Sequence, residues 1–327
     1  MDRQMFIVAV AAGLVAFPFG TSAEQAVKMR RIGLLSLSSP LWSSTQPEPI
    51  LEPLRALGWI EGRNLIVERR HTDGKAELLQ PMAEELILLH VELIVAYGTV
   101  ASLAAKSVTT NVPIVINRSG DPVRSGLVAS FARPGGNITG NSTISPELGV
   151  KRLELLRQLL PGATRIGELV YPRNPVARVD RDAQEQAYRS LQMKPIRVEA
   201  VAADELESAV AELARLGAQA LIVNAEPLFA QNFAAIVRAA HRFSLPIMVE
   251  TTAWLEDGGL LSYGPSEVEL DRQVAVFVDK ILKGAKPADL PALQPTKFEL
   301  GINLNAAKAL GITVPKSLLL RADEVIQ

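Results

Sequence analysis

The sequence predicts an α/β protein made of two doubly wound, Rossmann-like lobes joined by a hinge. Three observations carry that expectation. Short apolar runs alternate with segments whose apolar residues recur at helical spacing, which implies repeated βα units and a mainly parallel sheet covered on both faces. The alternation restarts after Gly140, and Val112-Pro113-Ile114-Val115-Ile116 in the first half is echoed by Leu245-Pro246-Ile247-Met248-Val249 in the second. At 327 residues and 48% apolar composition, the chain can bury two ordinary cores. A single long sheet of βα units remains open as the alternative on pattern alone.

Residues 5–19 form an uncharged apolar run behind Arg3, followed by the small residues Thr21-Ser22-Ala23. That order reads as a signal peptide over 1–23, cleaved after Ala23, and so as a periplasmic, soluble mature protein. The run is short for a membrane span. A short anchor or a buried first helix are the other readings, and Asp2 weakens the basic end.

Strands are expected at 32–37, 65–68, 93–96 and 113–116, with helices at 78–89 and 100–108 between them. After Gly140, a helix at 148–160 stops at Pro161-Gly162. Further strands fall at 166–170, 196–198, 220–223 and 246–249, with helices at 183–191, 206–216 and 229–243. A short run at 260–262 leads into a helix at 267–282, ended by Lys283-Gly284 and the proline at 287. The expected division places 28–138 with 262–288 in the first lobe, and 139–261 with 289–327 in the second.

Open α/β sheets bind ligands at the carboxyl ends of their strands, so the strand ends supply the candidate site. Ser36 and Ser38 follow the first strand. Gly98 and Thr99 start a helix after the third, where free N–H groups and a hydroxyl suit an anionic group. Asp121 lies in the Gly120-Asp121-Pro122 turn. The second half offers Asn174 before Pro175, Glu226 before Pro227, Glu250 after a later strand, and Tyr263 beside a return crossing. Each has a plainer reading: Thr99 and Asn174 as helix caps, Asp121 as a turn residue, Glu226 as a first-turn acid.

Other chemistry is sparse. The 34 basic and 35 acidic residues nearly cancel without a basic run, which argues against a nucleic-acid partner. No cysteine is present, which excludes disulfides and thiol catalysis. His71, His90 and His241 lie far apart, none with a ligand-spaced carboxylate. No dinucleotide, P-loop or nucleophile-elbow motif occurs. No metal, cofactor or catalytic group is therefore expected.

Particular segments resemble those of the ABC transporter substrate-binding family that includes tryptophan- and other aromatic amino-acid-binding members. The most specific are Gly120-Asp121-Pro122-Val123 and Arg133-Pro134-Gly135-Gly136-Asn137-Ile138-Thr139-Gly140. Lys151-Arg152-Leu153-Glu154-Leu155-Leu156 and the Lys283-Gly284-Ala285-Lys286-Pro287 stop agree, as does Gly98-Thr99 through Ala105-Lys106. The resemblance implies a type I periplasmic binding fold with three crossings, a small-molecule ligand such as an amino acid or related carboxylate, and delivery to an ABC permease by a monomeric receptor. Three departures bear on the ligand, one of them the unusually proline-rich stretch over 46–53 at the first helix. Glu226 stands where the family commonly has aspartate, and Asp271 where it often has tyrosine. An α/β enzyme acting on a small metabolite between the lobes is the alternative.

Overall fold

The computed structural model describes residues 29–37, 48–143, 146–172 and 181–327. The expected signal peptide, Ser38 and Asn174 lie outside these. No described helix is long and apolar enough to cross a membrane.

The first half contains β1 (Arg30–Ser36), α1 (Leu51–Ala56), β2 (Leu65–His71), α2 (Leu79–Leu88), β3 (Leu93–Tyr97), α3 (Gly98–Val108), β4 (Ile114–Ser119) and β5 (Ile138–Ser142). The strands form a wholly parallel sheet in the order β2-β1-β3-β4-β5. The second half contains α4 (Pro146–Leu159), β6 (Arg165–Val170), α5 (Arg181–Ser190), β7 (Lys194–Glu199), α6 (Leu206–Arg215), β8 (Ala220–Val223), α7 (Pro227–Gln231), α8 (Phe233–Arg242), β9 (Ile247–Val249) and β10 (Leu261–Pro265). After these come α9 (Glu267–Leu282), β11 (Phe298–Asn303), α10 (Leu304–Ala309), α11 (Lys316–Leu319) and β12 (Glu324–Ile326). The second sheet runs β12-β11-β10-β9-β8-β6-β7, with β11 antiparallel to β10. Its core order, β7-β6-β8-β9-β10, repeats that of the first sheet. Each lobe therefore has a topological switch point, between β1 and β3 and between β6 and β8.

Period-two alternation assigns the faces. Ile32, Leu34, Leu93, Val95 and Val115 pack with α1 and α9, whereas Leu35, Ile94, Ala96, Ile114 and Ile116 face α2 and α3. In the second lobe, Leu169, Leu221 and Val223 meet α6 and α8, while Ile166, Ala220 and Ile222 meet α4 and α5. Burying each such aliphatic side chain is worth about 1.5–3 kcal/mol. Both sheets are thus covered on both faces.

Three corrections follow from the structure. The expected lobe boundaries fall inside strands: β5 pairs with β4 in the first sheet, and β10 with β9 in the second. The pattern hid β5 because Thr139, Asn141 and Ser142 are polar yet fully buried. Thr139 Oγ1 donates to the Leu290 carbonyl at 2.7 Å, and Asn141 Nδ2 to that of Leu270 at 2.7 Å. Gly140 fits there because a Cβ on it would lie 2.1 Å from the Ile116 carbonyl oxygen, and its φ of +136° suits only glycine. The helix expected over 229–243 is two helices, broken at Asn232. The edge strand β12 carries no apolar run, since it opens on Glu324 and is largely exposed, and the pattern does not show it.

The chain crosses between lobes from β5 to α4, from β10 to α9, and from the turn at Pro287–Asp289 to β11. The first and third crossings run side by side: Ser142 N donates to the Leu293 carbonyl at 3.0 Å, and Leu293 N to that of Gly140 at 2.9 Å. Helix α9 leaves the second sheet and packs on the first.

Candidate functional site

The strand order puts the carboxyl ends of both sheets at the switch points, and most of the expected residues stand on those edges. Ser36 ends β1, in register with His71 on β2 and Tyr97 on β3; Tyr97 is in turn in register with Asn117 on β4. A polar row therefore crosses the carboxyl edge of the sheet, beyond the apolar runs of β1, β3 and β4. Gly98 follows at once, with φ +76° and nothing within 4 Å of where a Cβ would stand. Glycine is needed for that backbone and leaves the start of α3 uncovered. No side chain caps the first turn of α3, so its N–H groups point out of the sheet edge unclaimed by the helix.

Thr99 and Asp121 do work inside the protein. Thr99 is buried, its Oγ1 accepts from Gly120 N at 2.9 Å, and it lies 3.3 Å from Ser119 Oγ. Asp121 Oδ1 accepts from the backbone N–H groups of Val123 and Arg124, each at 2.9 Å. These are the bonds of a turn former, and they shape the loop that carries the chain from β4 to β5.

At the β4 end, Arg118 has a left-handed φ of +55°, where the β4–β5 register shifts between Ile116 and Ser119. Its backbone N donates to Asn141 Oδ1 at 2.9 Å. Its guanidinium pairs with Asp271 at 2.7 Å and Glu267 at 3.2 Å, both in the first turns of α9. Asn117 Nδ2 also donates to Asp271, at 2.9 Å. Burial works against the Arg118 charge, but Glu267 and Asp271 more than offset it and raise its pKa. Asp271 is moved the other way from a typical ion-paired acid: burial raises its carboxyl, and Arg118 opposes this only in part. Asp271 thus supplies a structural partner to Arg118. Neither residue of this pair was among the expected site residues, although Asn117-Arg118, closing an apolar run with two polar side chains, carried a signal.

Glu48, before α1, adjoins the same row. It is buried, pairs with Arg69 at 2.8 Å, and its carboxyl is raised by burial. The Tyr97 hydroxyl is pushed far above its ordinary range, first by burial and then by the Asp271 and Glu48 charges.

In the second lobe, Asn224, Ala225 and Glu226 follow β8, and Glu226 stands half-buried in extended conformation before Pro227 opens α7. Glu250 is committed: Oε1 pairs with Arg152 at 2.6 Å and Oε2 accepts from Ala225 N at 2.8 Å. Buried Arg152, on α4, also donates Nε to the Tyr263 carbonyl at 2.7 Å, so one side chain ties the end of β9 to the middle of β10. The Tyr263 ring stacks on Phe298 of the neighbouring strand at 6.2 Å between centroids. Arg152 was visible in the sequence only as part of a motif, without a role.

The two lobes meet beside these edges. Gln231, ending α7, donates Nε2 to the Leu37 carbonyl at 3.4 Å and lies against Gly74.

Residues 44–326 match the family described as ABC transporter substrate binding protein. The chain is 23% identical over 284 residues to a tyrosine-binding protein of Clostridioides difficile strain R20291, covering 86% of this chain and 81% of that one. Among solved structures, a conserved domain protein from Vibrio cholerae superposes with a TM-score of 0.85 at 26% identity, over 91% of this chain and all (100%) of the other. A domain from Streptococcus pneumonia in complex with L-Trp superposes with a TM-score of 0.84 at 25% identity, again over 91% and 100%.

Proposed function

The chain belongs to the ABC transporter substrate binding protein family, as a solute receptor with the type I periplasmic binding fold, and from that premise we propose that its solute is an α-amino acid or a related carboxylate. The observation that carries this reading is the uncovered start of α3 at the first lobe's switch point. Gly98 leaves open space there, and unclaimed N–H groups at the positive end of the helix dipole suit a carboxylate. Ser36 stands on the same edge, and Glu226 stands at the matching edge of the second lobe. Relatives that bind tyrosine and L-Trp support the amino-acid class. Thr99, Asp121 and Glu250 are assigned supporting places, each holding a loop or strand end around the ligand. Asn174 completes the second-lobe side in this proposal, with Ser38 beside Ser36.

The receptor binds without turnover and passes its solute to the permease of an ABC transporter as a monomer. Isothermal titration calorimetry against the amino acids and their des-amino carboxylates tests this. Stoichiometric, reversible heat with an amino acid, and unchanged solute on recovery, is the expected result. Appearance of a chemical product would favour an enzyme, and heat only with uncharged solutes would reject the carboxylate.

The apolar run over 5–19 and the small residues Thr21-Ser22-Ala23 support export of the receptor from the cytoplasm. Intact mass of the chain from the cell envelope should correspond to a start at Glu24. A full-length chain recovered from the cytosol would overturn the export reading.

A further inference from the structure

Buried polar atoms without partners are uncommon, and each asks for an occupant. On the first lobe's edge they cluster. Asn117 is fully buried with Oδ1 unpartnered, although its Nδ2 is bound to Asp271. Glu48 is equally hidden, and its Oε1 has no partner although Oε2 holds Arg69. The Tyr97 hydroxyl is near Asn117, shielded from solvent and without a hydrogen-bond partner of its own. Arg118 Nε is the unpartnered donor of the group.

The balance of this cluster is toward acceptors. Asn117 Oδ1 and Glu48 Oε1 can only accept, and the Tyr97 hydroxyl can accept as well as donate. Charge leans the same way. Glu48 and Glu61 surround Arg69, while Glu267 and Asp271 surround Arg118, so carboxylates outnumber guanidiniums along this edge. Ser36 and His71 complete the row across β1 and β2, and both have contacts of their own. A carboxylate would meet acceptors here and be repelled. A cationic or multiply donating group would be welcomed.

We propose that the Tyr97–Asn117–Glu48 row is the subsite for the ammonium group of the solute. This deepens the amino-acid reading above and rests on it. Tyr97 directly precedes Gly98, so an acceptor-rich pole and the N–H-rich start of α3 adjoin on one strand end. In an α-amino acid the ammonium and carboxylate share one carbon, and two adjoining poles of opposite preference match that arrangement. The row also orients the solute: its charged head is held by the first lobe, and its side chain is directed toward the second. Selection against des-amino carboxylates follows, because they would leave Asn117 Oδ1 and Glu48 Oε1 buried and unpaired.

Three probes separate the poles: L-tyrosine, its des-amino analogue 3-(4-hydroxyphenyl)propanoate, and its des-carboxy analogue tyramine. Calorimetry is run with the wild-type chain and with Tyr97→Phe, which deletes only an unpartnered hydroxyl and should not lower the thermal midpoint. The expected result is a roughly tenfold or greater loss for L-tyrosine and tyramine in the variant, with the des-amino acid unaffected. Glu48→Gln keeps an acceptor but removes charge, and should narrow the preference for amine-bearing probes. Equal binding by wild type and Tyr97→Phe, or an equal loss for all three probes, would overturn the subsite. If the wild type binds tyramine but not L-tyrosine, the amino-acid reading fails, and an amine loss in Tyr97→Phe still sustains the subsite. Binding of the des-amino acid alone, with neither amine-bearing probe bound, overturns the subsite and leaves the related carboxylate as the solute.

Discussion

Thr99 shows how a residue's type can suggest one role and its bonds another. A threonine at a helix start after a strand suits an anion, and its hydroxyl is indeed at the sheet edge. There it accepts from Gly120 N in a buried setting and approaches Ser119. Thr99→Val keeps the shape but strands the Gly120 N–H without an acceptor. A buried donor left unmade costs about 1–3 kcal/mol. Urea unfolding of Thr99→Val should therefore show a loss of that size, while the folded variant binds solute within roughly twofold of wild type. Unchanged stability with lost binding would instead put the hydroxyl on the solute. Asp121 belongs to the same class, since Val123 and Arg124 depend on its carboxylate for their N–H groups.

At the scale of elements, legibility tracked how strongly a segment's own pattern matched its environment. The helix expected over 267–282 is α9, Glu267–Leu282, because its apolar residues Leu270, Val274, Phe277, Val278 and Ile281 recur at helical spacing and all are buried. Strands β3, β4 and β8, buried on both faces, read as apolar runs for the same reason. Strand β5 did not, because its hidden side chains are polar and are satisfied by α9 and the third crossing, partners more than a hundred residues away. The candidate site divides along the same line. Gly98 could be singled out from a local motif. The Arg118–Asp271 pair spans 153 residues, and only the return of α9 from the second lobe to the first brings its members together. Arg152 is a similar case: its role depends on β9 and β10 meeting above α4. Contacts of that kind belong to topology, which local pattern does not contain.

For the whole molecule, the relevant device is closure. Three short crossings join the lobes, and Asn141 knits them to the site: its amide bonds α9 at Leu270 and its carbonyl oxygen receives the Arg118 N–H. Such joints permit hinge motion with little change inside either lobe. A solute favours the closed arrangement only by the contacts it gains there, so any direct bond between the lobes shifts the same equilibrium. Gln231 makes one, from α7 to the Leu37 carbonyl, at a length of 3.4 Å. That carbonyl also accepts from Thr72 Oγ1 at 3.2 Å and Gly74 N at 2.7 Å, so it remains satisfied when Gln231 is removed. Gln231→Ala should therefore leave unfolding unchanged while weakening closure. A neutral hydrogen bond is worth about 0.5–1.5 kcal/mol, and the long distance places this one at the lower end. The closed population, and with it the apparent affinity, should fall roughly two- to threefold. The chain has no cysteine, so a pair introduced at exposed Glu84 on α2 and Arg238 on α8 can carry spin labels for distance measurement. Without solute, the variant should show more of the longer interlobe distance than wild type, and saturating solute should bring the two distributions together. Identical distributions and affinities in wild type and variant would mean that Gln231 merely touches the first lobe, and that closure is governed by the solute and the crossings alone.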